Sequence, residues 1–214
     1  MYKGYRLRWT FFTIGLLVLS LGITLTIKGK DLGIAPWDVF HYGLFEKFGL
    51  TIGTWSIIVG LFILLITGLA SKSFPKIGAF LNMVLIGVFI DIFNYIIPDP
   101  EAYWMQAIVF VAGIFVIGYG VGLYISADLG AGPRDSLMLL ITKKTGWKIQ
   151  WVRNGMESTI FFFGWLIGGP IGVGTVIIAL FQGTVVGFSL PQCQRFLKYL
   201  LTKEAIKKDG PIAS

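Results

Sequence analysis

The hydrophobic and polar positions of this chain of 214 residues form six long apolar runs that are separated by short polar stretches. The runs cover residues 9–27, 53–69, 77–97, 103–125, 151–167 and 171–190. Each run is close to the ~17–25 apolar residues of a helix that crosses a lipid bilayer. The pattern predicts an all-α integral membrane protein with six transmembrane helices.

One polar stretch occurs twice, as DLGIAPWD at residues 31–38 and as DLGAGPRD at residues 128–135. Its shared residues are Asp31, Leu32, Gly33, Pro36 and Asp38 in the first copy and Asp128, Leu129, Gly130, Pro133 and Asp135 in the second. In each copy the proline suits the first position of a helix, and a glycine thirteen residues later marks its end. Thirteen residues reach only about 20 Å. Each segment is therefore either a surface helix or a half-helix that dips into the protein.

The order of elements is also repeated: an apolar run, the motif, a short helix, and two further runs. The copies cover residues of about 9–98 and 103–191, and a basic tail follows at 195–214. An odd number of spans in each copy gives the two copies opposite orientations. We predict a single transmembrane domain of two inverted three-helix repeats, each with an additional short non-spanning or re-entrant helix. Such repeats are a recurrent plan of secondary transporters.

Charge supports this topology. Fifteen of the eighteen Lys and Arg residues lie at the N-terminus, in the 71–76 turn, in residues 134–153 or in the tail. The positive-inside rule then places both termini in the cytoplasm. In a chain that is 55% hydrophobic, the net charge of +7 indicates contact with a lipid bilayer and no nucleic-acid partner. With one Cys, one His and no enzyme motif, we predict no metal site, no cofactor and no enzymatic activity.

The paired motifs have specific continuations, which are WDVFHYG at 37–43, GPRDS at 132–136, RNGME at 153–157 and GGPIG at 168–172. Together they are similar to the bacterial YczE/YyaS/YitT family of integral membrane proteins, over nearly the whole chain. The resemblance implies a multi-pass protein of a bacterial cell (plasma) membrane. It implies little chemistry, so the candidate sites depend on the residues themselves.

The two motifs allow a structural and a functional interpretation. In the structural one, Gly33 and Gly130 supply permissive backbone, and Pro36 and Pro133 open the short helices. Asp38 and Asp135 then complement the helix dipole, and Asp31 and Asp128 belong to the same structural motif. In the functional one, the helix starts point inward and present amides and polar side chains to a cavity. The sequence leaves both open.

Asp91 lies inside an apolar run, where a carboxylate costs ~2.5–3.5 kcal/mol at the bilayer centre. That cost favours a role in cation or proton coupling. Its position six residues before Ile97 favours a place near the outer interface instead. Asn82, in the same run, is expected to form a hydrogen bond between helices.

Arg153 and Glu157 are four residues apart and are expected to form an i,i+4 ion pair. The pair either supports the fifth span or contributes to a site. Arg134 or Arg153 could also bind an anionic group through its planar guanidinium. The lone His41 is expected to pack on its short helix, and a proton relay is the alternative.

The candidate substrate- or ion-binding residues are therefore Asp38, Asp91, Arg134, Asp135, Arg153 and Glu157. We predict a small secondary transporter or exporter of a small solute or ion, assembled as a homodimer, with its pathway between the repeats. The alternative is a non-transporting accessory or regulatory membrane protein that acts through a cytoplasmic partner.

Overall fold

The computed structural model describes residues 4–50, 52–72, 74 and 76–209, without the side chains at positions 52, 53, 91 and 206–209. The described residues form eight α-helices and a 3-10 turn at Lys30–Leu32, and they contain no β-strand. The helices are α1 (Tyr5–Lys28), α2 (Pro36–Phe48), α3 (Ile52–Ser71), α4 (Ile77–Ile96), α5 (Tyr103–Ser126), α6 (Pro133–Thr145), α7 (Ile149–Leu166) and α8 (Val173–Asp209). The predicted all-α class is confirmed.

Five helices in the described part of the chain are long and apolar enough to cross a membrane: α1, α3, α4, α5 and α8. The predicted fifth span, α7, is not among them, although it has 18 residues. The cause lies in its first half, which carries Gln150, Arg153, Asn154 and Glu157. Its apolar character is confined to the second half.

Helix α8 is longer than the predicted sixth span, which ends at residue 190. It continues through Pro191 to Asp209, so the basic tail is helical up to that residue. Cys193 and Leu197 are buried after the proline, and the position of Gly4 contacts Leu201. Packing against the start of α1 thus extends the helix beyond the point where the hydropathy falls.

Helices α1 and α5 form the centre of the molecule. A Cβ at Gly22 would lie 2.5 Å from the backbone nitrogen of Ile117, while Gly15 contacts Tyr124. Residue numbers thus rise along α1 as they fall along α5, so the two helices are antiparallel. Glycines permit this close approach, as is common between membrane helices. The fully buried side chains of Phe12 and Leu16 fill the surrounding core.

Polar contacts define one end of this bundle. The Arg8 guanidinium donates a hydrogen bond of 3.0 Å to the carbonyl oxygen of Ala127. The Lys76 ammonium lies 2.5 Å from a carboxylate oxygen of Asp128. The start of α1, the start of α4 and the second motif therefore meet at this end, which we call the basic end.

The opposite end is held by a second set of contacts. The Lys28 ammonium lies 2.6 Å from a carboxylate oxygen of Asp99 and lowers the pKa of that carboxyl below its ordinary value. The Gln106 amide donates a hydrogen bond of 2.9 Å to Asp31. The end of α1, the α4–α5 turn and the first motif meet here, so the two motifs begin at opposite ends of the bundle.

The two halves of the chain, α1–α4 and α5–α8, pack across each other. The short helix α2 packs against α7, and the short helix α6 packs against α3. Within each half the first long helix packs against the last, α1 against α4 and α5 against α8. Each short helix therefore contacts a helix of the opposite half and lies where the two halves meet.

Candidate functional site

Both short helices run from the interior to the surface. Pro36 and Trp37 are buried at the start of α2, whereas residues 46–48 at its end are exposed. Pro133 and Asp135 are likewise buried at the start of α6, and residues 143–145 are exposed. The structure thus favours the half-helix over the surface helix, because a surface helix would not bury its first turn selectively.

The motif glycines turn the chain into these helices. Gly33 and Gly130 have φ angles of 123° and 138°, a backbone conformation that L side chains rarely adopt. The first aspartates, Asp31 and Asp128, bind Gln106 and Lys76 at the two ends of the bundle. These four motif residues therefore have architectural roles outside the interior site.

Each motif is docked against the last long helix of the other half. The Gly78 N–H donates a hydrogen bond of 3.2 Å to the carbonyl oxygen of Leu129. On the other side, a Cβ at Gly172 would collide with the carbonyl oxygen of Leu32. Glycine at these two positions allows the motif backbone to approach, which fixes where the short helices begin.

A cavity of about 330 Å³ lies between the starts of the two short helices. Trp37 and Asp38 from α2 and Arg134 and Asp135 from α6 line it together. The other polar lining residues are Thr26, His41, Ser56, Asn82, Arg153, Glu157 and Gln182. Five of the six predicted candidate residues therefore meet at one cavity, whose remaining wall is largely apolar.

Three of these residues form a buried ionic cluster. The Arg153 guanidinium pairs with Asp135 of α6 and, at 3.1 Å, with Glu157 one turn later on α7. The Tyr124 hydroxyl from α5 donates a hydrogen bond to the other oxygen of Asp135. Asp135, Arg153 and Glu157 are only 7%, 7% and 3% exposed. The predicted i,i+4 pair is thus confirmed and belongs to a network that joins three helices.

Asp38 and Arg134 occupy the same cavity in a different way. The Arg134 guanidinium carbon lies 4.7 Å from the centre of the Trp37 ring, in a cation–π arrangement. It interacts electrostatically with Asp38 and Glu157 without a direct ion pair to any described residue. Both Asp38 and Arg134 are only partly buried. Their charged groups remain available to the cavity.

Several neutral lining residues carry buried polar atoms with no hydrogen-bond partner among the described residues. They include both ring nitrogens of His41, the Asn82 amide nitrogen and the Gln182 amide oxygen. These side chains are 2%, 5% and 2% exposed. The hydrogen bond predicted for Asn82 is not found among the described residues: its amide nitrogen has no partner, and its amide oxygen lies against Gly132. Unpaired buried groups of this kind call for a specific explanation, such as a ligand or water.

Asp91 lies in α4, but its side chain is outside the described part, so its predicted role stays a prediction. The sequence reasoning did not select Tyr124 or Gln182. A polar side chain inside an otherwise apolar run is the signal that could have identified them. Ser56 carries no such signal, since serine is common in membrane helices.

Residues 6–191 of the chain match the Family of unknown function (DUF6198). The chain belongs to this family. A Bacillus subtilis protein, "Uncharacterized membrane protein YczE", is 58% identical over 96% of this chain and 97% of the relative. The DUF6198 match and this relative confirm the YczE-like resemblance. Together with the apolar helices, they identify a membrane protein.

Two more distant relatives extend the comparison. A Haemophilus influenzae protein, "Uncharacterized protein", is 34% identical over 85% of this chain and 86% of the relative. "Uncharacterized protein YyaS" of Bacillus subtilis is 27% identical over 88% and 95%. No solved structure matches the chain.

Proposed function

We propose that this protein is a small secondary transporter or exporter, whose solute binds in the cavity between two inverted repeats. One observation carries the proposal: two half-helix starts converge on a single cavity that five charged side chains line. Charged groups inside a membrane bundle mark substrate or ion pathways. Broken helices at membrane depth are tolerated where they line such a cavity.

The arrangement of the halves supports the inverted repeat. Helices α1 and α5 open the two halves and are antiparallel, and the two motifs begin at opposite ends. Counting α7 as a crossing gives three spans for each half, or six in total. Its charged residues are compatible with a membrane span because Arg153 and Glu157 face the cavity and are buried in protein.

Alignment of the two motifs also places Ser56 and Gly60 of α3 opposite Arg153 and Glu157 of α7. All four line the cavity, so these residues make the α3 wall neutral and the α7 wall charged. On the charged wall, two carboxylates share the Arg153 guanidinium, which leaves a surplus negative charge when all are ionised. A proton or Na⁺ would neutralise that charge, so we place ion coupling at this cluster.

The positive-inside rule supports a cytoplasmic location for the basic end. Arg6, Arg8 and Lys72 lie near that end, and the last turns of α8 carry further basic residues. Contact between Gly4 and Leu201 places the start of α1 next to the second half of α8. This distribution supports a bacterial plasma-membrane protein with both termini inside.

Flux through reconstituted protein tests the proposal. Liposomes that contain the purified protein would be loaded with a defined mixture of amino acids, sugars and nucleosides under a proton or Na⁺ gradient. We expect gradient-dependent movement of at least one solute class, measured by mass spectrometry, and its loss in Glu157→Gln. The control is Glu46→Gln, at the exposed end of α2.

Two results would contradict the proposal. One is no movement above that of protein-free liposomes under either gradient. The other is full gradient dependence in Glu157→Gln, which would refute the assigned coupling cluster. Absence of flux with normal cellular function of Asp38→Asn would favour the accessory-protein alternative.

A further inference from the structure

The charges of the cavity fall into two groups. Asp135, Arg153 and Glu157 are in direct contact with one another and are almost fully buried. Asp38 and Arg134 form no ion pair or hydrogen bond with this cluster, although Arg134 interacts electrostatically with Glu157. Neither side chain forms a hydrogen bond or a direct ion pair with any residue that the structure describes, although each interacts electrostatically with the other.

The two separate charges come from opposite halves of the protein. Asp38 lies in the first turn of α2, and Arg134 lies in the first turn of α6. The Arg134 guanidinium carbon lies 4.7 Å from the centre of the Trp37 ring, so Trp37 helps to position this cation. A guanidinium with free N–H groups is suited to a carboxylate, which it binds through two parallel hydrogen bonds.

Buried neutral groups between the helices also lack partners. His41 presents two ring nitrogens, Asn82 an amide nitrogen and Gln182 an amide oxygen, each without a hydrogen bond to the described residues. All three side chains are at least nine-tenths buried and line the same cavity. Most of the remaining lining is apolar and includes Leu19, Ile63, Val121 and Ile178.

We propose that the cavity binds a zwitterion, namely an α-amino acid with an apolar side chain. The ammonium group pairs with Asp38, the carboxylate pairs with Arg134, and the side chain contacts the apolar wall. A simple anion would leave Asp38 unpaired beside it, and a simple cation would leave Arg134 unpaired. The volume of about 330 Å³ is in the range of small-ligand pockets. Transport of such an amino acid rests on the proposed function, whereas its binding in the cavity does not.

Three molecules with the same phenyl body test the proposal without any mutation. Phenylalanine carries both charges, 2-phenylethylamine lacks the carboxylate, and 3-phenylpropionate lacks the ammonium group. Isothermal titration of the purified protein should give phenylalanine an affinity about 10- to 100-fold higher than either analogue, because one charged hydrogen-bonding partner is missing in each. Alanine, leucine and tryptophan cover smaller and larger side chains.

Two variants test which charged side chain binds which charged group of the amino acid. Asp38→Asn should remove the advantage of phenylalanine over 3-phenylpropionate, and Arg134→Gln should remove its advantage over 2-phenylethylamine. The matched controls are Glu46→Gln and Lys143→Gln, which change exposed charges at the outer ends of the same two helices. They should bind all three molecules like the unmodified protein.

The outcomes separate this inference from the transporter proposal. If none of the four amino acids binds, or if all three phenyl compounds bind equally, the zwitterion site is refuted. Flux of another solute class would then leave the transporter proposal intact. Charge-selective binding without flux would instead refute transport and support the site.

Discussion

Removal of the Arg153 guanidinium should destabilise the fold strongly. At the 3.1 Å separation from Glu157 and an effective dielectric constant of about 20, the Coulomb attraction is about 5 kcal/mol. Arg153→Met loses this pair and the pair with Asp135, and it leaves two buried carboxylates without their directly paired cation. Breaking buried pairs in this way costs about 3–5 kcal/mol. We expect a loss of that size in the free energy of unfolding.

Unfolding by SDS in mixed micelles would measure the change. The combined variant Asp135→Asn, Arg153→Met and Glu157→Gln removes the charges together, so it should recover most of the loss. Arg195→Met, at an exposed position of α8, should stay within about 0.5 kcal/mol of the unmodified protein. A loss below about 1 kcal/mol in Arg153→Met, or equal losses in the single and combined variants, would refute a buried ionic cluster.

Three further predictions concern packing, pH and topology. Gly78→Ala should destabilise by about 2 kcal/mol or more because its Cβ would strike the second motif, whereas Gly87→Ala, with open space in the same helix, should be neutral or stabilising in SDS unfolding. The Lys28–Asp99 pair lowers the pKa of Asp99, so it stabilises the fold above the ordinary Asp pKa of about 4. Unfolding curves of the unmodified protein and Asp99→Asn should therefore differ at pH 6 and converge as the pH falls well below 4. Cysteines that replace the first aspartate of either motif, in a Cys193→Ser background, should react with impermeant reagents from opposite sides. Labelling from one side only would refute the inverted topology.

Local signals in the sequence predicted much of the fold. Pro36 and Pro133 define the first residues of α2 and α6, and Gly49 and Gly146 follow their last residues. These boundaries are predictable because helix starts and stops depend on the local backbone. The end of α8 is not predictable in this way. Hydropathy falls after residue 190, whereas contacts with the start of α1 stabilise the helix beyond that residue.

The candidate site was predictable as a set of residues but not as a network. The four-residue interval identifies the Arg153–Glu157 pair because residues at that interval on one helix face each other. The contacts from Arg153 to Asp135 and from Arg134 to Trp37 join different helices, so no sequence interval specifies them. Both depend on the packing that brings the two short-helix starts together, which follows from the fold of the whole chain.

A transporter exposes its binding cavity to each side of the membrane in turn, so the cavity between the short helices should be reachable from either side. Ser56→Cys, in the Cys193→Ser background, places a nearly isosteric thiol in the cavity wall. We expect a membrane-impermeant maleimide to label this thiol from either side in separate experiments. Cysteines in place of Glu46 and Lys143, at the outer ends of the two short helices, should each react from one side only. Labelling of position 56 from a single side, or from neither, would contradict transport through this cavity.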